Sequence, residues 1–260
     1  MPKHFLILTQ ARTGSELLAA LLDSHPALVC HRELFSHVTG HPERFNTFLE
    51  QAEKRHGPIP EDRAQALVEP YLRAVLDVPG AAAAGFKLLI DQYDRNPGVR
   101  AWMERARPHV VVLVRENLLR VLLSRVRAQA TNLWHAKGAV RQAAVEMPAG
   151  EDLLRRLDDI AGQYRRIESI AAGFGHSRVA YESLLAGYRD LLDPVVRALG
   201  AEPAPLTSPN RKINRLPLNA AIANWTDVAR TLADTPYEPL LDTEAEGDAA
   251  PGDRAEAAAN

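Results

Sequence analysis

Between Thr9 and Ser15 the chain reads Thr-Gln-Ala-Arg-Thr-Gly-Ser, a run whose side chains have the chemistry to hold an anion. Arg12 carries a permanent charge in a planar donor fork. Thr13 and Ser15 bring hydroxyl donors, and Gly14 allows close backbone approach. The apolar run His4–Leu8 precedes this stretch and reads as a buried strand. Glu16–Ser24 follows and reads as a helix. A strand, small polar loop and helix in that order aim the free N–H groups of the first helical turn at whatever sits over the loop, where the helix dipole favours negative charge. A phosphate or sulfate group is the expected ligand. The plainer reading is a strand-to-helix turn with Ser15 as N-cap. The loop has no Gly-x-x-x-x-Gly-Lys-Ser/Thr pattern and no Gly-x-Gly-x-x-Gly fingerprint, so neither a Walker NTP site nor a dinucleotide site is indicated.

Further polar groups follow other apolar runs. Arg115 ends the run Val110–Val114, and a permanent charge at the end of a buried strand needs a partner. Asn117 then suits the N-cap of a helix on which Arg120, Ser124, Arg127 and Thr131 share one face. Arg115 with Ser124 could clasp a second phosphate. The alternative for Arg120 and Arg127 is a solvated helix face. Glu33 closes Cys30-His31-Arg32-Glu33 and is placed to take a proton from an acceptor hydroxyl, or else to pair with Arg32 or Arg12. Lys87 sits in an otherwise apolar strand and must reach an anion, a carbonyl or solvent. Arg211 and Lys212 lie in a basic loop that could close over a phosphate. His25, His31, His37 and His41 match no familiar ligand spacing, so no metal is expected. Trp134 and Tyr93 could stack on a ring or serve as core or rim aromatics.

Strands at His4–Thr9, Ala27–His31, Ala84–Ile90, His109–Arg115 and Ser177–Tyr181 must position these groups, with helices at Ser15–Ser24, Pro97–Arg107, Asn117–Ala130, Glu151–Ala172 and Tyr188–Leu199 between them. This alternation predicts an α/β fold with a mostly parallel sheet and helices on both faces, and places ligands beyond the strands' C-terminal ends. The segment 36–80 reads as a helical insertion near the mouth of the site, and 242–260 as a disordered acidic, alanine-rich tail after a domain spanning 1–241. The chain has 260 residues, a formal charge of −2 and one cysteine, Cys30. That balance argues against nucleic-acid binding, and the single cysteine suits a reducing compartment. With no signal peptide core and no membrane-length apolar run, a cytoplasmic protein without integral membrane association is expected.

These residues resemble a known family. Thr9–Leu18, followed by Leu22-Asp23-Ser24-His25-Pro26, looks like the 5′-phosphosulfate loop and first helix of sulfotransferases that use PAPS (3′-phosphoadenylyl sulfate), particularly the bacterial carbohydrate group of nodulation-factor and trehalose-lipid type. Val112–Ser124 resembles that family's 3′-phosphate segment, Val179–Leu185 its late strand and helix, and Arg211–Trp225 its C-terminal basic loop and following helix. The resemblance implies a P-loop-like three-layer fold, PAPS as co-substrate, no metal, and transfer of a sulfuryl group to a hydroxyl of a small molecule or glycan. It implies that Arg12, Thr13, Gly14, Ser15 and Glu16 hold the phosphosulfate, Arg115 and Ser124 the 3′-phosphate, with Arg211 and Lys212 closing over it, and that Arg12 also acts in catalysis. Glu33 matches the proposed general base. Relatives include dimers, so a homodimer is a further expectation. Two departures stand out: arginine at 12 where many relatives have lysine, and Ser124 nine positions after Arg115 where many eukaryotic relatives use eight. The competing classes are a nucleoside or small-molecule kinase of related architecture and a nucleotide-binding module without transfer activity.

Overall fold

The computed structural model describes residues 2–37, 41–131, 143–208 and 216–241. Its elements are β1 (Lys3–Thr9), α1 (Ser15–Asp23), β2 (Leu28–Glu33), α2 (Phe45–His56), α3 (Glu61–Ala66), α4 (Val68–Leu76), β3 (Ala83–Leu89), α5 (Ile90–Arg95) and α6 (Pro97–Ala106). They continue with β4 (His109–Val114), α7 (Leu118–Thr131), α8 (Gly150–Ala171), β5 (His176–Ala180), α9 (Tyr181–Ala186), α10 (Tyr188–Ala198), α11 (Leu218–Ala221) and α12 (Trp225–Leu232). The strands form one sheet of order β2-β3-β1-β4-β5, every pair parallel. This is a three-layer α/β architecture, with a core on each face of the sheet.

The layers follow from strand pleating, which sends successive side chains to opposite faces. Leu6 and Leu8 of β1 and Val110, Val112 and Val114 of β4 enter one core. Phe5 and Ile7, with Val111 and Leu113, enter the other, which contains residues of α1, α9 and α10. β1 lies between β3 and β4. The chain leaves it on one side toward β2 and later crosses to the other side for β4, so the loop after β1 occupies the crevice where such sheets bind ligands.

The segment 36–80 is more than an insertion at the mouth. Its helices α2 to α4 form the crossover that joins parallel strands β2 and β3. Phe45, Val68, Tyr71, Leu72 and Leu76 belong to the main core. Two short helices, α5, unexpected from the sequence, and α9, within the segment that resembles the family's late strand and helix, begin directly where β3 and β5 end. The helix expected near Pro217 divides into α11 and α12. Asn224 at that break exchanges hydrogen bonds with the backbone of Met147, accepting at 2.9 Å and donating at 2.8 Å. The tail 242–260 lies outside the described residues. Among the described residues, no helix is long and apolar enough to cross a membrane.

The register of β2 against β3 slips by one residue. His31 stands opposite Phe86, yet Glu33, not Arg32, stands opposite Lys87. Such irregularities re-aim side chains at sheet edges. Here the slip brings the carboxylate of β2 alongside the lysine of β3.

Candidate functional site

The loop between β1 and α1 is held by its own hydroxyls. Thr9 donates to the carbonyl of Leu113 at 2.7 Å, fastening the loop to β4. Thr13 Oγ1 lies 2.8 Å from Thr9 Oγ1 and 3.0 Å from the carbonyl oxygen of Gln10. Arg12 (φ 73°) and Gly14 (φ 86°) both adopt left-handed backbone. Alternation of this kind turns successive N–H groups into a concave anion nest, and a non-glycine residue held there marks a constrained functional segment. Gly14 is the N-cap of α1, in place of the expected Ser15, and its carbonyl accepts from Leu17 N–H at 2.9 Å. Glycine is required for a second reason: a Cβ at position 14 would overlap Cδ2 and Cε2 of Tyr181.

Two arginines converge on this loop. Arg12 Nε donates to Ser124 Oγ at 2.9 Å, so loop and α7 are joined. Arg115 is only 8% exposed; its Nη1 donates to the Arg12 carbonyl at 3.4 Å and its guanidinium lies 4.7 Å from the Tyr181 ring centroid. Its backbone N–H donates to Tyr164 Oη at 2.8 Å. Burial first, and then the nearby positive charge of Arg115, lowers the pKa of Arg12. Two guanidinium groups set this close repel one another, and an anion between them relieves that repulsion.

A second polar cluster lies at the ends of β2 and β3. Lys87 is 2% exposed, and its Nζ contacts the carboxylates of both Glu16 and Glu33, the latter at 2.7 Å. Glu33 Oε2 accepts from Gln92 Nε2 at 2.8 Å. Glu33 keeps 19% of its side chain exposed, leaving an open edge for an incoming hydroxyl. The partner of Glu33 is therefore Lys87, not Arg32 or Arg12 as the sequence suggested. Arg32 instead reaches Glu16, through its carboxylate at 3.5 Å and its carbonyl at 3.0 Å.

Arg12, Thr13, Gly14, Ser15, Arg115 and Ser124 are thus gathered at the end of β1, with Glu16 and Glu33 beside them through Lys87. Three placements differ from expectation. The Thr13 hydroxyl faces inward onto the loop, so its backbone N–H is what it can offer a ligand. The Glu16 side chain points to Lys87 and Arg32, away from an anion role. Ser124 holds Arg12, which makes it a support for the first anion contact as well as a candidate for the second. Arg120 and Arg127 are not a solvated face: Arg120 is buried and reaches the carbonyl of Leu216, while Arg127 reaches those of Ala143 and Ala221. Tyr93 packs against the core beneath Arg100. Arg211, Lys212 and Trp134 lie outside the described residues. Among the described residues, no three His, Cys, Asp or Glu side chains are grouped as metal ligands.

Four contributors were given no role from the sequence. Gln10 accepts from Arg125 at 2.5 Å and donates to the carbonyl of Ile160 at 3.3 Å behind the loop. Glu182 accepts the N–H groups of Glu116 and Asn117 at 3.0 and 3.2 Å, fixing the turn after Arg115. Tyr181 and Gln92 follow the ends of β5 and β3 closely, and the strand-end rule applied to every strand would have flagged both. Nothing in the sequence marked Gln10 or Glu182.

No family model matches the chain. Nodulation protein H of Rhizobium tropici is 26% identical over 243 residues, covering 91% of this chain and 92% of that protein. The chain is similar to the sulfotransferases. The printed name of this relative agrees with the nodulation-type resemblance carried by the ordered motifs. Among solved structures, a sulfotransferase from Alicyclobacillus acidocaldarius is 17% identical with a TM-score of 0.45, covering 90% of this chain and 95% of that one. The sulfotransferase domain from the curacin biosynthetic pathway is 16% identical with a TM-score of 0.47, covering 93% and 90%.

Proposed function

We propose that this chain is a PAPS-dependent sulfotransferase that moves a sulfuryl group onto a hydroxyl of a small molecule or glycan. The observation that carries this reading is the convergence of Arg12 and Arg115 on one left-handed loop at the end of β1. Such an arrangement suits a ligand with more than one anionic group. Sequence similarity to Nodulation protein H, across nearly the full length of both chains, supports the same class.

The residues fit the donor. The backbone of Arg12 to Ser15 and the Arg12 guanidinium would hold the 5′-phosphosulfate, with Arg115 beside them for the second phosphate. Ser124 fixes Arg12. The donor supplies an activated sulfuryl group for in-line displacement. Glu33 takes the proton from the acceptor hydroxyl as it attacks. Arg12 and the loop N–H groups stabilise the negative charge that develops on the departing phosphate oxygen. Lys87, between Glu16 and Glu33, keeps Glu33 oriented and balances its charge. Arg211 and Lys212, which lie outside the described residues, are proposed as further contacts to the donor. The proposed acceptor is a carbohydrate hydroxyl.

Isothermal titration with PAP, the desulfated product, against wild type and Arg115→Ala tests the donor site. Tight binding to wild type that weakens at least tenfold in the variant is expected. Absence of wild-type binding would sink the reading. Transfer of radiolabelled sulfate from PAPS to a panel of soluble oligosaccharides, with Glu33→Gln as the inactive control, then tests the reaction.

A further inference from the structure

We infer that Gln92 is a positioning residue for the general base, holding Glu33 by a hydrogen bond whose direction the backbone enforces. This rests on the assignment of Glu33 above. Gln92 is 2% exposed and sits in the first turn of α5, immediately beyond β3. Its Oε1 accepts the N–H of Leu89 at 3.2 Å. A backbone N–H can only donate, so the amide must present oxygen to Leu89 and its NH₂ elsewhere. That NH₂ donates to Glu33 Oε2 at 2.8 Å. The capping contact that starts α5 therefore also fixes which end of the amide meets the base.

The consequence is geometric. Lys87 holds Oε1 and Gln92 holds Oε2, so both carboxylate oxygens are fixed by buried donors. Each oxygen keeps a second lone pair, and the exposed edge of Glu33 is where those lone pairs can meet a hydroxyl. Lys87 is shared with Glu16 of α1, so it cannot by itself set the angle of Glu33. Gln92, anchored on Leu89, can. Holding a base in its productive rotamer lowers the cost of reaching the transition state without altering donor binding.

Gln92→Glu separates the two roles of this side chain. A carboxylate at 92 still accepts from Leu89 N–H but, when ionised, has no proton to donate to Glu33. Water can serve as the acceptor, so the assay needs no identified substrate: excess full-length enzyme with PAPS, and PAP release followed by chromatography. PAP affinity is measured in parallel by titration and reports that the fold and donor site are intact. We expect Gln92→Glu and Gln92→Met to bind PAP within about twofold of wild type and to release PAP roughly ten- to a hundredfold more slowly. In a Glu33→Gln background, Gln92→Glu should have no further effect. That double variant also restores a complementary amide–carboxylate pair, which keeps the comparison available if the single variant is unstable.

A wild-type rate in both Gln92→Glu and Gln92→Met, the second of which has no proton to donate in any state, overturns the inference and leaves the PAPS reading standing. So does an equal slowing in the Glu33→Gln background, which would mean that Gln92 acts independently of the base. Failure of wild type to bind PAP overturns the PAPS reading and this inference together. PAP binding without Glu33-dependent hydrolysis overturns the base assignment, and Gln92's role with it.

Discussion

Replacing Gly14 by alanine should damage both stability and donor binding, for two reasons that can be measured apart. The backbone at Gly14 has φ 86°, a left-handed conformation that costs an L-residue about 1–2 kcal/mol. The new methyl would also overlap the ring of Tyr181, and overpacking of this kind costs about 1–3 kcal/mol. Gly14→Ala should therefore lose about 2–5 kcal/mol, a large part of the ~5–15 kcal/mol that holds an ordinary domain together. Tyr181→Ala alone removes a buried ring and its contact with the Arg115 guanidinium, at about 3–5 kcal/mol. In that background the overlap is gone and only the left-handed strain remains, so Gly14→Ala should cost about 1–2 kcal/mol. Urea unfolding of the four proteins, followed by circular dichroism, gives the cycle, and PAP titration of the folded variants gives the ligand side. Equal cost of Gly14→Ala in both backgrounds would refute the Tyr181 contact. A cost below about 0.5 kcal/mol in either would refute the left-handed loop.

Arg115→Lys should rescue little of the PAP affinity lost in Arg115→Ala, because an ammonium cannot reproduce the guanidinium's fork or its stacking on Tyr181; titration recovering wild-type affinity with lysine would contradict this. Lys87→Met leaves the Glu16 and Glu33 carboxylates without their shared cation, and should destabilise by about 2–3 kcal/mol, below the fully buried case because Glu16 is half-exposed. Adding Glu33→Gln should recover about half of that loss in the same urea assay. Burial pushes the Cys30 thiol from 9.0 up to about 12. The unfolded chain thus releases this proton first, so stability should fall as pH rises from about 9 toward 12, by up to about 1.4 kcal/mol per pH unit. Cys30→Ala should remove the part of the loss that begins near pH 9, leaving the loss above pH 10 that comes from Tyr71, Tyr93, Tyr164 and Tyr237, whose phenols burial also holds protonated. An unchanged alkaline profile in Cys30→Ala would refute the buried-thiol account.

The five strands and the helices between them were legible because each strand is a short apolar run and each helix carries its own apolar spacing, both local properties. The loop between β1 and α1 was legible for the same reason, since Arg12, Thr13, Gly14 and Ser15 are contiguous and the strand before them is unmistakable. Asn117 was readable as an N-cap, and its side chain accepts the N–H of Arg120 at 3.0 Å. The crossover nature of 36–80 was less visible. Of its helices, α2 buries only Phe45 and α3 buries nothing, and their place in the core depends on contacts such as Phe45 with Tyr71 of α4, at 5.1 Å between ring centroids, that join distant segments.

The sequence by itself determined the α/β class, the position of the loop between β1 and α1 and the charged residues at the strand ends, because hydrophobic periodicity and turn chemistry act over a few neighbouring residues. Only the tertiary structure decided which partners those charges take. Glu33 meets Lys87 because the β2–β3 register slips by one residue, and register is a property of two strands rather than of either. Ser124 meets Arg12, and Tyr181 covers Gly14, because the parallel order β3-β1-β4-β5 brings their strand ends to one edge of the sheet. Gln92 reaches Glu33 because α5 turns out of β3 without a loop, and no count of spacings along the chain contains that turn.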